Sequence, residues 1–435
     1  MPVYQKELNR LKQAGLFVRR NFPHFGVNKK QEAVRLLYEI SKREEAGPDR
    51  IIQAGNQDYE LVKKELLARR YPASPVNCRP YLPKIELNRR DFACLKPKPF
   101  YPRKIFIEQK ARQSNLERRF RELFPQAKFS EIDSLKSWLC RQRDFKINDY
   151  NQRRDTVFIT HQEQDFFKAC PCTNKAIGCG YHIFNLGFGC VFDCTYCFLQ
   201  GYTNSPGIIL PENLEDFFRA FPKYKRKGMR LGTGEFSDSL ALDNFTGYSS
   251  QLIDFFRQHK DVLFEFKTKS NQVGNLLKAR HAGNIVVSWS LNPQKIIREN
   301  EYFTATLAQR LTAARKCADS GYRLGFHFDP VIYFAGWEKE YAALIEALFS
   351  KIKPSEIAWI SVGTFRFSPS LKPVIEKRFP ANKVLDEELL LGYDNKLRYD
   401  FKLRENIYRR ILNNLRKHSQ KLNIYLCMEE APIKL

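Results

Sequence analysis

The chain has 435 residues, is 43% hydrophobic and carries a formal net charge of +25. No run of 18 apolar residues occurs, so no transmembrane helix and no membrane partner are expected, and the start Met1-Pro-Val-Tyr-Gln-Lys-Glu lacks the apolar core of a signal peptide. Its 11 cysteines are therefore expected in a reducing cytoplasm, as free thiols or metal ligands and not as a disulfide framework.

The length suggests one large domain with an appendage. Charge is uneven: residues 1–150 hold 33 Lys and Arg against 18 Asp and Glu, an excess of 15. A basic surface of that size fits DNA or another nucleic acid as partner; a solvated basic face is the alternative.

Residues 1–105 read as a basic, mostly helical extension. Ala33, Leu36, Leu37 and Ile40 fall on one helical face, with Lys29, Lys30, Arg35, Lys42 and Arg43 around them. Pro72, Pro75, Pro80, Pro83, Pro97, Pro99 and Pro102 then impose extended chain. Residues 106–181 form a lobe or linker, with a helical unit starting at Leu116, Phe120 and Leu123 and a Cys170-Pro-Cys172 segment near its end.

Across residues 182–435 short apolar runs alternate with amphipathic segments. Strands are predicted at 182–188, 229–234, 263–269, 285–292, 323–332 and 357–365. Helices are predicted near 212–221, 247–259, 273–280, 303–319, 337–352 and 370–378, then a helix at 402–417 and a strand at 423–428. Such alternation predicts an α/β fold of βα units around a parallel sheet. Chemistry then gathers at the carboxyl ends of the strands. Those ends carry Glu235, Ser237 and Asp238; Lys269; Ser290 and Asn292; His327 and Asp329; and Thr364 and Arg366.

The most specific motif is Cys190-x3-Cys194-x2-Cys197, directly after the first of these strands. Three thiolates on one loop can hold three irons of a [4Fe–4S] cube and leave the fourth iron open. A zinc site or three buried thiols is the alternative. Structural zinc wants four ligands, and no fourth Cys or His follows closely. A second group, Cys170, Cys172 and Cys179, reads as structural or free thiols. An auxiliary cluster would need a fourth ligand such as Cys78, Cys94 or Cys140. Cys317 and Cys427 read as core, and His161, His182 and His327 have no metal spacing.

The cysteine loop resembles the signature of the radical S-adenosylmethionine superfamily. Later motifs resemble its spore photoproduct lyase family: Cys-Phe-Leu-Gln200, Gly234-x-x-Ser-Asp238 with Asp243, Thr268-Lys269, Ser290-x-Asn292, Gly336-Trp-Glu-x-x-Tyr341 and Arg366-Phe367. The string runs from about residue 120 to the end. It implies a partial (β/α)6 barrel of TIM type, a [4Fe–4S] cluster on Cys190, Cys194 and Cys197, and reductive cleavage of S-adenosyl-L-methionine. Cofactor contacts are implied at Ser237, Asp238, Lys269, Ser290 and Asn292, with Arg366 on the DNA-lesion side. An electron donor such as flavodoxin or ferredoxin follows from the same likeness, as does carbon–carbon lyase chemistry in DNA repair.

Two positions depart from the family. Its hydrogen-donor cysteine aligns with Glu235 and its relay tyrosine with Phe198. Neither present side chain has a labile hydrogen. Tyr196, Tyr202 and Tyr248 are the candidate replacements, each also readable as packing. Glu235 could grip the cofactor's amino group or pair with a rim lysine. Radical chemistry on a small molecule or peptide, and a DNA-binding iron–sulfur protein, are the competing readings.

Overall fold

Runs rich in β-branched and aromatic residues build one curled sheet: β1 (Tyr181–Phe184), β2 (Arg230–Gly232), β3 (Leu263–Thr268), β4 (Ile285–Ser290), β5 (Arg323–Val331), β6 (Ile357–Thr364) and β7 (Ile424–Leu426). Each is parallel to the next, in that order. Phe167–Ala169 flanks β1 antiparallel. Every residue of β4 and β6 is buried, as expected where both faces of a parallel sheet are covered. This is the partial barrel expected, with the strand ends trimmed where the chain turns into rim loops. The computed structural model describes residues 2–430 except 54, 56–57, 75–78, 143, 173–175 and 203–205. Pro75 and Cys78 lie outside the described residues.

A second sheet was not foreseen. Lys128–Ile132, Lys104–Glu108, Thr156–Thr160 and Ile208–Pro211 lie side by side in that order, all parallel. Glu108 fastens it: one carboxylate oxygen accepts from the Leu135 N–H (2.5 Å) and the other from the His161 N–H (2.7 Å). Among the described residues no helix is long and apolar enough to cross a membrane.

The partition also differs from a simple extension. One compact unit joins Met1–Cys94 to Arg366–Arg404; the other comprises Leu95–Phe365 and Glu405–Leu435. Inside the first unit, helices Pro2–Asn21, Val27–Glu44 and Tyr59–Arg70 share an apolar core. Glu39 is buried there and accepts from Arg35 (2.7 Å), Arg70 (2.7 Å) and Lys372 (3.0 Å), while Arg35 also pairs with Glu376. A buried carboxylate stays charged only with such partners. Its ionisation is held well below the usual range: Lys372, Arg35 and Arg70 together outweigh burial, which acts the other way. Two sequence-distant segments are thus one electrostatic unit.

The barrel interior is polar as well. Glu265 is buried and binds Arg230 (2.8 Å), His327 (2.7 Å) and Ser288 (2.5 Å). Arg230 also lies 3.8 Å over the Trp359 ring and donates to the Tyr425 hydroxyl (2.7 Å). His327 turns its other nitrogen to Ser361 (2.6 Å), so its two ring nitrogens are spent on structure.

Two stability predictions follow from these buried groups. Glu39→Gln strands Arg35, Arg70 and Lys372 around a neutral amide and should lower unfolding free energy by about 3–5 kcal/mol in urea. A loss under about 1 kcal/mol would show that the cluster is not stabilising. Burial, reinforced by Lys267 and opposed by Glu265, pulls His327 from its ordinary 6.5 down to about 4. The neutral ring is thus favoured in the fold, so its stabilisation is complete above pH 6.5 and drains away as pH falls from 6.5 through about 4. His327→Gln should flatten that part of the stability profile of the apo-protein; an unchanged slope would exclude His327 as its source.

Candidate active site at the cysteine loop

The loop after β1 is held on three sides. Phe188 and Ile209 exchange backbone hydrogen bonds (3.0 and 2.8 Å), tying its start to the second sheet. Gly187 permits this approach: its φ is 79°, and a Cβ would meet the Ile209 carbonyl oxygen at 2.2 Å. Further on, Asp193–Cys194 pairs antiparallel with Glu301–Tyr302. From below, the buried Arg153 donates to the carbonyls of Cys190 (3.0 Å) and Phe192 (2.5 Å). Gln200 closes the turn by donating to the carbonyls of Thr195 (2.7 Å) and Cys197 (2.9 Å).

A buried network stands beside the thiols. Glu301 accepts from Arg310 (2.6 Å), Asn292 (2.9 Å) and the Tyr196 hydroxyl. Tyr341 donates to Asn292 (2.7 Å). Arg310 and then Lys269 hold the Glu301 carboxyl down at about 2, although burial pushes the other way. Burial pulls the Lys269 ammonium down, but Glu301 and Cys194 more than offset it and keep the amine charged. Arg153, Glu301 and Arg310 carried no motif signal. Their role arises only when the chain folds them against the loop.

The thiols fit a cluster. Cys190, Cys194 and Cys197 lie within electrostatic reach of one another, with Arg153 beside Cys190 and Cys197 and Lys269 beside Cys194 and Cys197. Two cations thus offset the charge that three thiolates would bring. The Phe192 N–H points at the Cys190 sulfur (3.4 Å). Burial pushes the Cys190 thiol up to about 12, so iron must displace its proton. Among the described residues no three His, Cys, Asp or Glu side chains are gathered around a single ion. A cube gives each thiolate its own iron and does not ask them to meet at one point.

The other expected site residues divide by what they already bind. Asp238 accepts from Thr268 (2.6 Å) and from the backbone N–H of Lys269 (2.7 Å), Leu240 (3.1 Å) and Ala241 (2.9 Å). Asn292 spends both ends of its amide on Glu301 and Tyr341. Ser290 gives its carbonyl to Arg310 (2.8 Å). Ser237 lines a cavity of about 30 Å³ next to Cys190, room for one water. Glu235 pairs with Lys168 at 2.8 Å. Arg366 opens a two-residue strand paired with Leu397–Arg398 in the first unit.

The tyrosine candidates also separate. Tyr196 is buried on Glu301, and Tyr248 donates to the Pro211 carbonyl (2.5 Å). Tyr202 is 46% exposed and meets Phe198, itself 41% exposed, edge to face at 5.9 Å. Phe188 and Phe236 complete that aromatic patch.

Comparison with known proteins places this geometry. The family model "Spore photoproduct lyase" matches residues 100–417. The spore photoproduct lyase of Geobacillus sp. is 29% identical over 301 residues, covering 67% of this chain and 86% of the relative. That of Bacillus subtilis is 28% identical over 302 residues, with the same coverage. A solved spore photoproduct lyase complexed with dinucleoside spore photoproduct is 26% identical, with a TM-score of 0.65, and covers 76% of this chain and 100% of that one. A double mutant of the lyase with bound AdoMet and dinucleoside spore photoproduct matches with the same identity, TM-score and coverage. The chain belongs to the spore photoproduct lyase family.

Proposed function

We propose that this protein reductively cleaves S-adenosyl-L-methionine at a [4Fe–4S] cluster and uses the resulting radical to repair a pyrimidine photoproduct in DNA. The observation that carries this reading is the three-thiol loop set against Arg153 and Lys269, in a chain whose solved relative holds AdoMet and a dinucleoside lesion together. When bound, the cluster supplies the electron that breaks a sulfonium carbon–sulfur bond, chemistry that belongs to the cofactor.

The chain's own residues bind and orient. Cys190, Cys194 and Cys197 would hold three irons of the cluster. Lys269, Ser237 and Ser290 are the groups we assign to the cofactor. Asp238 and Asn292 act by positioning, because their polar atoms already serve Thr268, Lys269, Glu301 and Tyr341. Glu235 sits between two tasks: paired with Lys168, it can turn its free oxygen to the cofactor's ammonium. Arg366 serves the lesion side. The electron comes from a small carrier such as a flavodoxin or ferredoxin, and those basic residues of 1–150 that are exposed meet phosphate.

Neither Glu235 nor Phe198 can return a hydrogen atom to a carbon radical, so the family's donor pathway is not available at those positions. Tyr196 is committed to Glu301, which leaves Tyr202 as the exposed phenol on the rim.

Cys194→Ala should abolish 5′-deoxyadenosine formation after anaerobic reconstitution, and normal formation would remove the cluster from the loop. With irradiated DNA the intact enzyme should form 5′-deoxyadenosine in step with loss of a pyrimidine photoproduct. The dinucleoside spore lesion should turn over poorly, for want of a donor at residues 198 and 235. Cofactor cleavage indifferent to every lesion, but stimulated by a peptide or small molecule, would overturn the DNA assignment.

A further inference from the structure

The chain carries a second group of thiols that the cysteine loop does not use. Cys170 is anchored by its N–H to the Tyr181 carbonyl at the start of β1 (2.9 Å). The Cys172 N–H donates back to the Cys170 carbonyl (2.7 Å), a turn that brings the two sulfurs into hydrogen-bonding contact, with Cys179 beside them.

The fourth thiol comes from the far end of the chain. Ala176 bridges Glu430 antiparallel, and the Ile177 N–H donates to the Glu429 carbonyl (2.8 Å). Cys427 follows Tyr425 by two residues, and Tyr425 lies within electrostatic reach of Cys179, so the chain leaving β7 runs past this group of thiols. The sequence reading placed Cys427 in the core; it is instead half-buried, on the chain leaving β7. No described cysteine is in a disulfide.

The surroundings suit an anionic centre. Cys179 lies within electrostatic reach of the Arg230 guanidinium and of Tyr425. Arg230 is shared between this group and Glu265, and the charge of Glu235 beside Cys170 is neutralised by Lys168.

We propose that Cys170, Cys172, Cys179 and Cys427 form a four-thiolate site for a second iron–sulfur cluster, fully ligated by protein, where β7 closes back on the segment before β1. Four ligands leave no open iron, so this centre would carry electrons and not bind S-adenosylmethionine. Zinc is the competing ion for four thiolates, but zinc needs the sulfurs gathered around one point and they are not so gathered here. On assembly each thiol loses its proton and forms one sulfur–iron bond, and two ferrous ions, two ferric ions and four sulfides supplied from outside make up the cube with no net electron change.

Anaerobic reconstitution of the full chain with equal parts of ferrous and ferric iron and with sulfide tests this without reference to activity. About eight irons and as many sulfides per chain are expected, twice the content of one cube. The variant Cys190→Ala/Cys194→Ala/Cys197→Ala should keep about half and still give a cluster signal by electron paramagnetic resonance after reduction. Cys170→Ser/Cys172→Ser should also lose about half while retaining 5′-deoxyadenosine formation. Saturation of the unsubstituted protein at about four irons would overturn the proposal even if a variant fails to fold. So would stoichiometric zinc in the protein as isolated that iron and sulfide do not replace.

Discussion

The site depends on the buried carboxylate of Glu301. Its backbone pairs with Cys194, and its side chain gathers Arg310, Asn292 and Tyr196. Through Asn292 and Tyr341 it is braced by helix Trp337–Phe349, and Arg310 brings in helix Leu307–Asp319. A loop of three cysteines has little regular structure of its own, and exposed loops are mobile. This one is positioned by a carboxylate that is itself fixed by three donors. The same charge keeps Lys269 protonated beside Cys194, so one anion sets both the shape of the loop and the cation that faces it.

Arg153 supplies the complementary constraint from the second sheet. Its guanidinium caps the Cys190 and Phe192 carbonyls and stacks 4.2 Å over Tyr150. The small parallel sheet is therefore a buttress. It carries Arg153 just ahead of the strand Thr156–Thr160 and offers Ile209 as backbone partner to Phe188. The family match starting at residue 100 takes in this sheet.

Much of the barrel was legible because its signals are local. β-branched runs, helical spacing between them and three cysteines within eight positions all lie inside short windows. The second sheet escaped notice because KIFIE, KFSEI and TVFIT are five residues each and alternate too briefly to stand out. Long-range electrostatics is not written in any window. Glu39 with Lys372, Glu265 with His327 and Arg153 with Cys190 each join residues dozens to hundreds of positions apart. The expected cofactor contacts at Asp238 and Asn292 show a subtler gap. Motif position carries that expectation, and only the fold shows the partners these groups have within the chain: Thr268 and the Lys269 N–H for Asp238, Glu301 and Tyr341 for Asn292.

The rim around Glu235 shows what the departures mean physically. A carboxylate at a strand end beside buried thiols would be repelled by any thiolate centre unless neutralised. Lys168 neutralises it, and the same ammonium lies 4.0 Å over the Phe236 ring. Phe236 belongs to the aromatic patch with Phe188, Phe198 and Tyr202. The exchanges at residues 198 and 235 are thus not independent. One removes a hydroxyl and leaves an apolar ring in the patch; the other adds a charge whose partner packs on that patch. Together they leave a rim of aromatic rings and one compensated ion pair in which residues 198 and 235 themselves offer no labile hydrogen. An aromatic patch of this kind suits a partner that presents a stacking face, as a nucleobase does.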